Sequence, residues 1–198
     1  MITIQERSYP LQVIGDILAN HLRVVEDDNE LYKNAQACVL NALSMAETYT
    51  NRILVDSLVT ISFDTIEGRV IELPTAPIRE ITEIRYYGMD GEWHEIDGYN
   101  MVSNKHRAML ELREMPAVDP TRLLNVLEID AVVGYEDVSA NEVPATTIYP
   151  LPGDIIAALM LMSATLFDNP ADVAPGVNEL PLNARMLLSP YRITPYGL

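Results

Sequence analysis

The sequence predicts an α+β fold, a small helical bundle of about four helices with an inserted, mostly antiparallel β module. Three observations lead there. Apolar residues recur at helical spacing from about residue 10 to residue 54; the period shortens to two between 55 and 135; and an almost wholly apolar helical run returns at 154–167. The matching organisation is 1–54 for the N-terminal helices of the bundle, 55–135 for the inserted β module, and 136–198 for a connector, the C-terminal helices and an extended tail.

Residues 1–9 read as a loose arm. Pro10 suits the first position of a helix, and Leu11, Ile14, Ile17, Leu18 and Leu22 follow at helical spacing, so a first helix ends near Leu22–Arg23. The acidic run VVEDDNE invites comparison with a calcium loop, but it lacks alternating ligands and the obligatory glycine. It reads as a helix start, with Asp27 as N-cap and Glu30 three residues on. A second helix spans about 28–54, with Leu31, Ala35, Cys38, Ala42, Met45, Tyr49 and Ile53 as one apolar face. Its alanines combine high helix propensity with room for close approach by another helix.

Seven short strands follow: SLVTISF, GRVIEL, EITEIRYY, EWHEI, YNMVS, RAMLELR and VLEIDAVVGY. Pro74 and Pro77, Asp90-Gly91 and Asp97-Gly98 supply turn chemistry between them. The segment EDVSANEVPATTIYPLPG has no periodicity and reads as a connector. The run DIIAALMLMSATLF then carries apolar side chains most of the way round, relieved only by Ser163 and Thr165. A helix of that kind must be buried on nearly all sides, and each large side chain contributes about 1.5–3 kcal/mol on burial. It is too short for a membrane span, which takes about 20 apolar residues. Asp168-Asn169-Pro170 stops it, ADVAPGVNE is a loop, 180–188 suggests a short last helix, and YRITPYGL is extended.

The formal charge is −16, with net values of −3, −8 and −5 over 1–54, 55–135 and 136–198, so the excess is distributed and is not an acidic tail. Such a surface disfavours a nucleic-acid groove and anionic membranes, both of which call for basic stripes. A single cysteine, Cys38, excludes a disulfide within the chain and reads as a buried small hydrophobe. MITIQERSYP has neither a basic nor an apolar leader region, so a soluble protein of a reducing compartment is expected. His21, His94 and His106 show no zinc spacing, and no nucleophile elbow, glycine-rich phosphate loop or dinucleotide fingerprint is present. His94 between Glu92 and Glu95 reads as a solvated hairpin surface rather than an acid–base cluster. Trp93, beside the Asp90-Gly91 turn, is either an exposed interaction residue or a cover for the sheet, and the second is favoured. No enzyme, cofactor or metal site is expected.

The order of these pieces resembles the phage head–tail connector (adaptor, or head-completion) family. The likeness lies in an early helix ending HLRV, an acidic cap leading to a long helix ending AETYTNRIL, then ELPTAPIREITEIRYYGMDGEW and GYNMV. LEIDAVVGYEDV, the apolar helix and ELPLNARMLLSPYR complete it, over most of residues 11–192. Two features depart from the pattern: a longer spacer between Pro144 and Pro152, and the helix ending FDNPAD.

The resemblance implies a non-enzymatic structural virion protein, a ring subunit of about twelve copies seated on the portal protein. The ring would extend the DNA channel and receive the next neck or tail protein. It implies location in the virion neck after assembly in the host cytoplasm, with DNA passing through an acidic lumen without specific binding. Part of the apolar surface of helix 154–167 would then meet the adjacent protomer. The tail is expected to dock on the portal through Leu188, Tyr191, Arg192, Tyr196 and Leu198, since Tyr and Arg are enriched at binding hot spots; the alternative is a tail packed back on its own helices. A stopper or tail-completion protein is the competing neck component, and an enzyme with an unrecognised site is the other class. The helix-first, helix-last frame argues against a stopper.

Overall fold

The computed structural model describes residues 1–24, 29–104, 107–138, 149–169 and 180–193. The described chain forms two compact units: Met1–Ser8 with Val55–Gly134, and Tyr9–Leu54 with the described part of Tyr135–Thr194.

The first unit holds eight strands in two antiparallel sheets. Five of them, β1 (Ile2–Arg7), β2 (Ser57–Phe63), β8 (Leu127–Val133), β4 (Ile78–Tyr87) and β5 (Trp93–Glu95), form one sheet in that spatial order. The smaller sheet runs β3 (Val70–Leu73), β7 (Ala108–Leu112), β6 (Tyr99–Ser103). All seven strands expected between 55 and 135 are present. The eighth, β1, replaces the loose arm expected over residues 1–9. Only Ile2 and Ile4 carry a strand period, yet it pairs with β2 from Ile2↔Ile61 to Arg7↔Ser57, with a register shift between Ile4 and Glu6. The Ser62 amide donates to the Met1 carbonyl at 2.8 Å, so the pairing reaches the first residue.

Strand β8 is central and alternates buried with half-buried residues along its length. Its register places Ile61, Ile129 and Ile84 in one row across β2, β8 and β4, none more than 1% exposed. The opposite face is polar: Arg85 on β4 pairs with Glu128 at 3.0 Å and Asp130 at 3.6 Å on β8. Fully buried Leu110 and Leu112 fill the smaller sheet, and the Ser103 hydroxyl on β6 accepts the Ile78 amide of β4 at 2.9 Å. The Ala76-Pro77 bond that leads into β4 is cis.

The second unit is helical. Helix α1 (Leu11–Asp16) runs into a π-helical turn at Ile17–Leu22, and Arg23, with φ +56°, ends it. The start of α1 is capped from far along the chain. The Asp137 carboxylate accepts the amides of Gln12 at 3.0 Å and Val13 at 3.2 Å, which answers the unpaired donors of the first turn. The proposed Asp27 cap of the next helix lies outside the described residues.

Helix α2 (Asn29–Thr50) ends before residue 54 because Asn51 turns left-handed at φ +53° and the Glu47 side chain accepts the Leu54 amide at 2.9 Å. Its buried face is Ala35, Cys38, Val39, Ala42, Leu43, Ala46 and Thr50. Leu31 is exposed, and Met45 and Tyr49 are half-buried instead of lying at the centre of that face. The stripe is rotated because the small residues, placed where α3 (Gly153–Asp168) packs, set the line of closest approach.

Helix α3 also packs on α4 (Leu182–Leu188). Within the chain its burial is one-sided, where burial on nearly all sides is expected against the rest of the chain or a neighbouring subunit. Ile155, Ile156, Ala158, Leu159, Met162 and Ser163 are buried, whereas Met160, Leu166 and Phe167 are half-buried and Leu161 is 38% exposed. Ser163 tolerates the interior because its hydroxyl donates to the Met160 carbonyl at 3.1 Å.

Candidate functional site

Two constellations stand out, one in each unit. In the helical unit, α4 passes into a 3₁₀ turn at Ser189–Tyr191, and the chain beyond it is held by polar contacts. Arg52 is 4% exposed, and its Nε donates to the Tyr191 carbonyl. Tyr191 is 6% exposed, and its hydroxyl donates to Asp154 at 3.3 Å. The Ile193 amide donates to the Thr50 carbonyl at 2.8 Å. Arg192 is exposed, its guanidinium 5.6 Å from the Tyr49 ring centre. Tyr49 in turn lines a hollow of about 270 Å³ with Ser44, Met45, Thr48 and Leu180.

The electrostatics of this anchor follow from burial. Desolvation lowers the Arg52 pKa, although the nearby phenols of Tyr135 and Tyr191 favour its charge. Burial pushes the Tyr135 hydroxyl up to about 12, with Arg52 pulling the other way. Burial first, then the charge of Asp154, raise Tyr191 as well. Both phenols are therefore neutral across the physiological range; the Tyr191 hydroxyl donates to Asp154, whereas the buried Tyr135 hydroxyl has no hydrogen-bond partner among the described residues. Burial likewise raises the Cys38 thiol.

Of the residues proposed for docking, Leu188 is fully buried and Tyr191 nearly so. Both serve as internal anchors, and Arg192 alone among the described ones presents itself to solvent. Tyr196 and Leu198 lie outside the described residues.

In the β unit, the end of the larger sheet carries an aromatic–arginine cluster. Tyr87 on β4 faces Trp93 on β5 edge-on at 5.5 Å. The Arg122 guanidinium lies 3.9 Å from the Tyr87 ring centre and 4.9 Å from that of Trp93. The loop carrying Arg122 is stitched to β4: the Asp119 amide donates to the Tyr87 carbonyl at 3.1 Å, and the Tyr87 amide donates to Val126 at 3.0 Å. Arg122 Nε is turned back to the Leu124 carbonyl at 2.9 Å. Trp93 does not cover the sheet as favoured above. On a three-residue edge strand it stacks sideways on Tyr87 and stays 38% exposed.

His94 pairs with Asp90, 2.9 Å from Nε2, and stacks on Tyr86 at 5.3 Å; neither flanking glutamate is its partner. The histidine hydrogen bond is the chief cause holding the Asp90 carboxyl below its usual range. A Cβ at Gly88 would lie 2.6 Å from the His94 ring and 2.7 Å from the Asp90 carboxylate, so a side chain there would push this exposed pair aside. This reads as turn architecture. A shallow groove of about 430 Å³ alongside, lined by Tyr86, Glu95, Arg113, Glu114 and Met115 among others, holds no histidine or cysteine. Among the described residues no group of three His, Cys, Asp or Glu could hold a metal ion, and no helix is long and apolar enough to cross a membrane.

No protein-family model matches the sequence, and neither does any curated protein. Solved structures do. The whole chain is similar to a chain in the neck of an empty gene transfer agent (GTA) particle with C6 symmetry, at TM-score 0.73 and 20% identity, covering 100% of this chain and 97% of that one. It is similar over the same shares to a chain of the native GTA virion (TM-score 0.71, 18% identity) and to one in the native GTA neck with C12 symmetry (TM-score 0.68, 18% identity). At these identities the likeness is one of fold.

Proposed function

We propose that this chain is a structural, non-enzymatic virion protein, a head–tail connector subunit. It forms a ring on the portal, extends the DNA channel and offers a platform to the next neck or tail protein. The observation that carries this reading is the full-length fold match, with 100% and 97% of the two chains covered, to a chain of a symmetric particle neck. The charge of −16 agrees with it, because an acidic lumen repels the duplex and lets it slide, whereas a basic wall would hold it. The one-sided burial of α3 agrees too, since a half-covered apolar helix is a surface that assembly can complete.

Portal docking falls to the end of the chain in this reading. Leu188 and Tyr191 fix the point from which the tail departs, and Arg192, Tyr196 and Leu198 make the contact. The test is native mass spectrometry and electron microscopy of the full chain mixed with the portal of its own particle, beside a variant lacking residues 194–198. A ring on the portal, lost on truncation while the circular dichroism of the free chain is unchanged, is the expected result. Failure of the full chain to form a ring with portal refutes the connector assignment; a truncated chain that still binds refutes the tail's role alone.

A further inference from the structure

We infer that the Trp93–Tyr87–Arg122 end of the larger sheet docks on the outward face of α3 in a second copy of this chain. The inference rests on the ring reading above and supplies the contact that builds the ring. The sheet end has the make-up of a binding hot spot, in which Trp, Tyr and Arg predominate. Three flexible aliphatics flank it, with Met89 70%, Leu123 80% and Leu124 66% exposed. The tethers of the 119–126 loop to Tyr87 hold Arg122 in place before any partner arrives, which lowers the entropy lost on binding.

Charge selects the occupant. Copies of a chain with net charge −16 repel each other unless a contact sets a cation against a carboxylate. Arg69, Arg79 and Arg85 are engaged with Glu111, with Asp56 and with the Glu83, Glu128 and Asp130 set of their own unit. Arg122 makes no ion pair with a described residue; the two rings lie under its guanidinium, and Asp119 acts on it only at longer range.

The outward face of α3 offers the complement. Leu161 is 38% exposed, and two exposed carboxylates, Asp154 and Asp168, stand about two turns before and after it on the same stripe of the helix. Asp154 already accepts from Tyr191. Asp168 sits in the last turn of the helix, where the helix dipole disfavours an anion, and it makes no ion pair with a described residue. A cation from outside would relieve it. The two surfaces differ, so their contact is head-to-tail, and a repeated head-to-tail contact generates a ring where the rotation closes.

The test is disulfide trapping in the full chain. Leu123→Cys and Leu161→Cys proteins are mixed and oxidised with diamide; native Cys38 is buried, with its thiol pKa raised, and stays out of the reaction. Mixed 123–161 dimers should exceed those of a control pair, Val102→Cys with Leu161→Cys, by about tenfold or more, the effective-concentration gain that proximity supplies. Adding Arg122→Glu to the first protein should remove the excess, and adding Asp168→Lys to the second should restore it. Mixed dimers at the control level overturn the inference, as do 123–123 dimers in preference to mixed ones, or indifference to both charge reversals in folded protein. A portal-bound ring without the 123–161 bridge overturns this contact alone. A bridge without any ring on the portal overturns the connector reading and leaves the contact standing.

Discussion

Replacing Gly134 with alanine tests the packing of the β unit where one backbone approaches another most closely among its described glycines. Gly134 follows β8 with φ +87° and donates its amide to the Pro77 carbonyl at 3.1 Å. A Cβ built there lies 2.0 Å from the Val55 carbonyl oxygen, 2.5 Å from its carbon and 3.2 Å from the Asp56 nitrogen. The left-handed conformation alone costs an alanine about 1–2 kcal/mol. The overlap costs more, because the obstructing atoms are backbone and cannot rotate aside. Relief requires the chain leading into β2 to move by about 1 Å or more, and Val55 there is 2% exposed. Together these place the loss at about 3–5 kcal/mol, the range of backbone strain combined with core disruption. Gly15→Ala is the control: no atom lies within 4 Å of its Cβ, and it sits inside α1, so it should gain about 0.5–1 kcal/mol. Urea unfolding followed by the fluorescence of Trp93, the only tryptophan, reads the β unit, and far-UV circular dichroism reads the helices. With a slope of about 2 kcal/mol per molar urea, the Gly134→Ala midpoint should fall by about 1.5–2.5 M. A fall below about 0.3 M, or an equal fall for both variants, would refute the steric reasoning.

Two further outcomes follow from named contacts. Asp90 and Asp119 are both held below their usual range, by the His94 hydrogen bond and by the Thr121 hydroxyl and amide respectively. A depressed carboxylate stabilises the fold above its unfolded pKa, near about 4, and that stabilisation is lost as pH falls through the folded value. Trp93 emission should therefore hold steady from neutral pH down to about 4 and change below it, and Asp90→Asn together with Asp119→Asn should abolish the acid-side change; a transition centred near neutral pH would contradict this. In the helical unit, Tyr191→Phe removes the hydroxyl that donates to Asp154 and should cost about 0.5–1.5 kcal/mol. Hydrogen exchange at the Ile193 amide should quicken by the corresponding factor, and an unchanged rate would show that this bond does not anchor the tail.

Much of the β unit is legible in the residues themselves. Seven strands announce themselves by period-two alternation of Val, Ile and Leu, and Asp90-Gly91 marks its turn, because strand and turn preferences act within a few residues. The helices α2, α3 and α4 are legible for the same reason. Strand β1 is not, because only Ile2 and Ile4 mark it and its partner β2 lies some 55 residues on in register terms, as in Ile4↔Val59. The role of Trp93, for which cover of the sheet is favoured, is not legible from its neighbours in sequence, because the edge position of β5 and the approach of Arg122 decide it.

Periodicity, propensity and charge are local or additive quantities. They determined that this chain alternates helices with an antiparallel β module, that the 154–167 segment is a helix, and that its surface is strongly acidic. Tertiary structure alone decided which stripe of α2 faces α3, that Leu161 stays half outside, that Asp137 caps α1 across more than a hundred residues, and that Tyr191 lies inside the bundle against Arg52. Those outcomes depend on which distant groups fill a given volume and satisfy a given donor. No window along the sequence contains both partners.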